Sequence, residues 1–322
     1  MAWQSVPCLR WGVDPFPRGD GAVTLAVVAG QTYRERPQVP GLAALVAATW
    51  VQRIPRGEPA YPQRHLPTGG VEVRCRVGYE PQVAGVLTGP HVELLPPGTT
   101  VIGLRLRPGA LAAVLGRPVA DLTGFVVDAA ELWGTAAAAA GEWVAAATTD
   151  DAAVGALQDL VATAALRAGV TGPEPLLAEA TRRLMPWYAA EVRTVGADLY
   201  VSERGFRRHL LAGVGIGPKA LQRTLRFQGF LARTQAATAT GGDASGDGLA
   251  RLAVDAGYAD QAHLTRECVR LTGATPRAFL RGVGEACACG HDHSASYTPL
   301  LREAELAGSF KNAGRGAPSL AS

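Results

Sequence analysis

Three groups of residues in this chain have types and spacings that could do chemistry. The most compact is CACGHDHS, where Cys287, Cys289, His291 and His293 alternate with small or acidic residues. Four soft or borderline donors are what a closed zinc or copper site needs. Alternate residues of an extended chain diverge, however, and structural zinc sites space their ligands more widely. The stretch therefore reads as a polar linker before a short tail helix, with zinc or copper binding as the alternative and no other cofactor expected. The second group is Arg204, Arg207 and Arg208 in SERGFRRHLL. The third is Gln261, Ala262, His263, Thr265 and Arg266 in GYADQAHLTRECVRLTG. These are side chains that read base edges: arginine pairs with guanine O6 and N7, glutamine suits adenine, and alanine or a threonine methyl meets the thymine methyl. The less favoured reading of each is contact with phosphate or water only, whereas His263, beside an apolar stripe, suits a structural role as well as a base contact.

Catalytic chemistry finds little support. The chain lacks G-x-G-x-x-G, a P-loop, G-x-S-x-G and H-E-x-x-H, and CACGHDH lacks the glutamate and C-x-x-C of a zinc deaminase. Cys8 is a possible nucleophile with no identifiable base, so the chain is read as a non-enzyme. Five cysteines, with Cys8, Cys75 and Cys268 alone in apolar or strand-like sequence, read as reduced thiols. The opening residues show no signal-peptide pattern and the apolar runs are too short to span a bilayer, which gives the expectation of a cytoplasmic protein with no membrane partner.

The elements that must position these groups divide the chain. At 322 residues and 48% hydrophobic composition it can form two domains. Up to about Arg107 it is punctuated by Pro and Gly between β-like runs, AVTLAVV, TWVQRI, GVEVRCRV, VELLP and VIGLRLRP, interrupted by one short helix at PGLAALVAAT. From Gly109 the pattern turns helical, and the alanine run between Trp133 and Trp143 reads as helix, with both indoles packed. Charge follows the same division. Between Arg182 and Arg281 lie 15 Lys and Arg against 8 Asp and Glu, whereas the remainder has 16 against 20. A basic segment joined to a mildly acidic one is the footprint of a nucleic-acid-binding domain attached to something else.

Within the basic segment one design occurs twice. In VRTVGADLYVSERGFRRHLLAGVGIGP, Val195 and Leu199 form a short stripe, and Ser202 caps a second helix bearing Phe206 and Leu210. In LARLAVDAGYADQAHLTRECVRLTGATP, Leu249, Leu252 and Ala253 supply the first helix. Gly257 then permits the turn, and Asp260 caps a helix with the stripe Leu264, Cys268 and Leu271. Between the two, PKALQRTLRFQGFLARTQAA, beginning at Pro218, can form one connecting helix.

At LYVSERGFRRHLLAGVGIGPKALQRTLRFQGFLA and LARLAVDAGYADQAHLTRECVRLTGATPRAFLR the sequence resembles the AraC/XylS class of bacterial transcription regulators. The front part, with RHLPTGGVEVRC, LLPPGTTVIGLRLRPGALAAVLG and LTGFVVDAAELWG, looks like an uncharacterised sensor-type domain found on some of them. Three residues depart from the pattern: Cys268 stands where the class has a buried aromatic, Tyr200 where a turn commonly has Gly, and Thr68 where the related domain often has an acid. The resemblance implies an α+β chain: a β-rich sensor domain over 1–135, a helical connector over 136–190, a double helix-turn-helix DNA-binding domain over 191–282, and a tail over 283–322. It implies double-stranded DNA as partner, RNA polymerase as a further one, an unknown small-molecule ligand, and a monomer or homodimer. The alternative is a metal-responsive regulator acting through the Cys/His tail.

Overall fold

The computed structural model describes residues 9–10, 31–239 and 247–286. The front of the chain is a seven-stranded antiparallel sheet in the order β1-β9-β6-β5-β8-β3-β2, made of β1 (Leu9–Arg10), β2 (Thr32–Arg36), β3 (Val46–Arg53), β5 (Glu72–Arg76), β6 (Gln82–Ala84), β8 (Thr100–Leu106) and β9 (Phe125–Asp128). The strands β4 (Tyr61–His65) and β7 (His91–Leu95) pair only with each other, as a separate antiparallel ribbon in which His65 faces His91 and Gln63 faces Glu93. AVTLAVV lies outside the described residues. The other four β-like runs fall on β3, β5, β7 and β8.

The helix expected at PGLAALVAAT is not formed. A single 3₁₀ turn at Pro40–Leu42 gives way to β3, whose ladder bonds to β2 on one side and β8 on the other. A strand flanked on both sides satisfies its backbone groups and buries Val46, Trp50 and Val51, which outweighs the helix preference of the alanines and Leu45. Trp50 is accommodated because position 103, opposite it on β8, is glycine: a Cβ there would sit 2.3 Å from the indole.

The helical part begins with α1 (Ala110–Leu115), α2 (Ala130–Trp133), α3 (Thr135–Ala146) and α4 (Asp150–Ala168). The last is capped by Thr149 and packs on β3 and β8, with Val154, Leu157, Leu160 and Val161 buried. Its N-terminal Asp150 is tied to the sheet by Arg53 and, at 2.6 Å, by Arg36. On α3 the buried face is Ala137, Ala140, Gly141 and Val144. Trp143 projects off that face and stays 70% exposed, so only Trp133 of the two flanking indoles packs against the core. Next come α5 (Pro175–Arg183), a 3₁₀ turn at Pro186–Tyr188, α6 (Val192–Asp198), α7 (Glu203–Gly213), α8 (Pro218–Ala239), α9 (Asp247–Asp255), α10 (Gln261–Thr272) and α11 (Pro276–Ala286).

Among the described residues, two main cores hold these parts. The larger runs without a break from the sheet through α4 and α5 to Val195, Phe206, Leu210, Leu221 and Leu225. The smaller joins Phe227, Phe230 and Leu231 of α8 to Leu249, Tyr258, Leu264, Cys268, Leu271 and Phe279. One helix, α8, thus contributes to both.

Candidate nucleic-acid interface

Each repeated motif is built from local rules. In the first, α6 ends at a turn in which Tyr200 takes φ 56°, and the Ser202 hydroxyl accepts the Gly205 N–H to start α7. Left-handed backbone is costly for a residue with a Cβ, so glycine would be the relaxed residue at this position. Tyr200 is 99% exposed, so no packing offsets the strain. In the second, Gly257 at φ 80° turns the chain and the Asp260 carboxylate accepts the His263 N–H at 2.6 Å to start α10. Between them α8 is one continuous helix.

The side chains proposed as readers sort by position. Arg204, Arg207 and Arg208 are exposed, while Phe206 and Leu210 on the opposite face are buried. On α10, Ala262 and Arg266 are exposed and Gln261 is partly buried. The Thr265 hydroxyl donates back to the Gln261 carbonyl at 2.9 Å, so what this residue offers outward is its methyl. His263 is held within the motif: its ring meets Tyr258 edge-on with centroids 5.3 Å apart, and its Nδ1 lies 3.4 Å from the Ala259 N–H.

Between the two motifs lies a cleft of about 620 Å³, lined by Arg193 of α6, by Lys219, Arg223 and Arg226 of α8, and by His263 and Glu267 of α10. Arg223 pairs with Glu267 at 2.8 Å, and the Arg226 guanidinium lies 5.6 Å over the Tyr258 ring. No sequence pattern singles out these cations, because their convergence depends on how α6, α8 and α10 pack.

The cysteines inside the described residues are packing groups. Burial pushes the Cys75 thiol up to about 11 and raises that of Cys268 as well, so neither supplies a thiolate at neutral pH. Cys268 is enclosed in the smaller core with the Thr272 hydroxyl 3.6 Å from its sulfur. Cys8 and the quartet Cys287, Cys289, His291 and His293 lie outside the described residues. Among the described residues no group of His, Cys, Asp and Glu is arranged to hold a metal ion, and no helix is long and apolar enough to cross a membrane.

Two helix pairs, α6 with α7 and α9 with α10, are joined by the single helix α8 and follow a β-rich front part. Residues 34–128 of that front part match the family model described as a domain of unknown function, DUF6597. No curated protein matches the chain. Among solved structures it is similar to an apo, singly substituted ToxT from Vibrio cholerae strain SCE256, with 8% identity over 76% of this chain and 99% of that one and a TM-score of 0.42. ToxT from Vibrio cholerae O395 gives 7% identity, 74% and 98% coverage and a TM-score of 0.39. Unsaturated fatty acid bound wild-type ToxT from strain SCE256 gives 9%, 78% and 94%, with a TM-score of 0.35.

Proposed function

We propose that this protein is a sequence-specific DNA-binding transcription regulator that reads a bipartite site with α7 and α10. One observation carries the reading: two side-chain-capped helices, each burying one face and exposing an arginine-bearing one, are joined by a single continuous helix. Recognition helices so joined suit successive major grooves, about 34 Å apart on one face of the duplex. Arg204, Arg207 and Arg208 then serve one half-site, and Ala262, Thr265, Arg266 and Gln261 the other. The cleft between them faces the intervening backbone, where Arg193 and Lys219 meet phosphates. The sheet domain is the input module for an unknown ligand or partner, and RNA polymerase is the further partner such a regulator would engage, as monomer or homodimer.

The test is selection from randomised duplexes by the full chain, followed by titration of the selected site at several salt concentrations. Specific binding should fall steeply with salt, because cation–phosphate contacts release counterions. Lys219→Ala should weaken all duplexes alike and reduce the salt slope by about 1, whereas Arg207→Ala should relax preference within one half-site only. Failure of the chain to enrich any sequence would overturn the reading.

A further inference from the structure

Both reading helices end against the sheet domain, and at both ends the contact is to backbone carbonyls. At the end of α7 the Val119 N–H donates to the Ala212 carbonyl at 2.8 Å, and the Thr123 hydroxyl donates to the Gly215 carbonyl at 2.7 Å. The fit is close, since a Cβ on Gly215, which has φ 92°, would lie 2.6 Å from that hydroxyl. At the end of α10 the Arg64 guanidinium, on β4, donates through Nη1 to the carbonyl of Thr272 at 2.7 Å. Thr272 is the last residue of that helix, so its carbonyl has no partner within it and sits at the negative end of the helix dipole.

The ribbon carrying Arg64 is held on both sides. Toward α8 and α10, Leu66 packs on the smaller core, the Pro67 carbonyl accepts from Gln228 Nε2 at 2.8 Å in a buried contact, and Pro90 lies against Gly273. Toward the sheet, Glu93 of β7 pairs with Arg74 of β5 at 2.6 Å, His65 lies 3.8 Å from Glu72 of β5, and Gln63 accepts from Gln52 of β3 at 2.6 Å. The ribbon is therefore a strut between the main sheet and the second reading helix.

The consequence follows from the number of attachments. The smaller core packs the second motif on α8, so with α8 as the sole link the angle between the two motifs would still change with any bend along that one helix. A second attachment, off the axis of α8, resists that bend. We propose that the sheet domain acts as a jig that sets the distance and angle between the two reading helices, with Arg64 as the positioning residue for α10, so that half-sites are read at one spacing. This inference rests on the DNA-reading role proposed above and adds what decides operator geometry.

The experiment uses the full chain and its selected bipartite duplex, together with duplexes in which unchanged half-sites are moved apart or together by one or two base pairs. Two base pairs rotate one half-site by about 70° relative to the other, so the native chain should lose roughly tenfold or more in affinity. Arg64→Ala should keep affinity for the best spacing within about threefold while flattening the spacing dependence, because both reading faces remain intact. Gln228→Ala, which cuts the strut at another point, should flatten it too. Arg64→Lys should restore the native profile, because an ammonium can donate to the same carbonyl. An unchanged spacing profile in both Arg64→Ala and Gln228→Ala would overturn the jig while leaving the DNA-reading role standing. Uniform loss at every spacing, with lowered thermal stability, would make Arg64 a helix cap only and would equally overturn it. If the native chain selects no duplex, the DNA-reading role fails and the jig with it.

Discussion

Replacing Leu264 and Arg266 one at a time separates folding from reading on a single helix. Leu264 is fully buried in the smaller core among Phe227, Phe230, Tyr258 and Leu271, whereas Arg266, two positions on, is exposed. Truncating Leu264 to Ala removes a fully desolvated branch and leaves a cavity between aromatic rings that cannot easily close, which costs roughly 3–4 kcal/mol. Against a total stability of about 5–15 kcal/mol that leaves a folded but weakened motif, with binding to selected and unrelated duplexes impaired together. Arg266→Ala removes no buried contact, so stability should change by no more than about 0.5 kcal/mol. Loss of a bidentate base contact should nevertheless cost about 1–3 kcal/mol on the selected site, a drop of roughly 5- to 150-fold, with unrelated duplexes little affected. The assays are thermal unfolding and a binding titration on the selected site beside a scrambled one. The reasoning fails if Arg266→Ala destabilises as Leu264→Ala does. It also fails if Arg266→Ala, Gln261→Ala and Thr265→Ala all leave site selection intact, in which case specificity would rest on Arg204, Arg207 and Arg208.

Other consequences can be measured on the same protein. Tyr200→Gly should stabilise by about 0.5–1 kcal/mol, since relief of left-handed strain exceeds the entropy that glycine adds to the unfolded chain; a lower unfolding temperature would contradict the strain argument. Tyr258→Phe should be neutral or stabilising by up to about 1 kcal/mol, because the buried hydroxyl has no hydrogen-bond partner among the described residues and loses nothing when removed; a marked loss in calorimetry would show that it is satisfied. The ribbon should respond to pH in both directions. Burial opposes charge on His65, but hydrogen bonds to Glu72 and Glu93 outweigh it and the charge of Arg74, so its value is raised. That contribution is full below the ordinary histidine range and is lost as pH rises through the raised value, so the native chain should decline in alkali by more than His65→Gln. Burial pushes Glu72 and Glu93 up, but His65 with Arg105 and Arg74 respectively holds each near about 2, so their contribution is lost as pH falls from the ordinary carboxylate range toward 2. Burial and the neighbouring His65 charge lower His91 to about 4, which adds to the acid loss between the ordinary histidine range and that value. Identical unfolding curves for the native chain and His65→Gln between neutral and alkaline pH would refute the assignment.

What the sequence by itself determined here is what neighbours along the chain decide. Ser202 and Asp260 as caps, Gly257 at the turn, and the buried stripes Phe206/Leu210 and Leu264/Cys268/Leu271 follow from hydrogen bonds and periodicities spanning three or four residues, and each is legible without knowing what lies opposite. The same locality misled at PGLAALVAAT, where alanine and leucine favour helix until β2 and β8 supply a ladder on both sides. It also hid β4. In YPQRH the proline and three polar residues carry no alternation, and the segment becomes a strand only because β7, some thirty residues later, pairs with it. Tertiary structure alone decided that Arg64 reaches the carbonyl of Thr272, that Glu93 meets His65 and Arg74, and that Arg193, Lys219 and Arg226 share one cleft. Their chemistry was visible in the residue types, but their partners lie in other elements. Which charge meets which carbonyl is set by the packing of whole strands and helices, and no spacing along the chain encodes it.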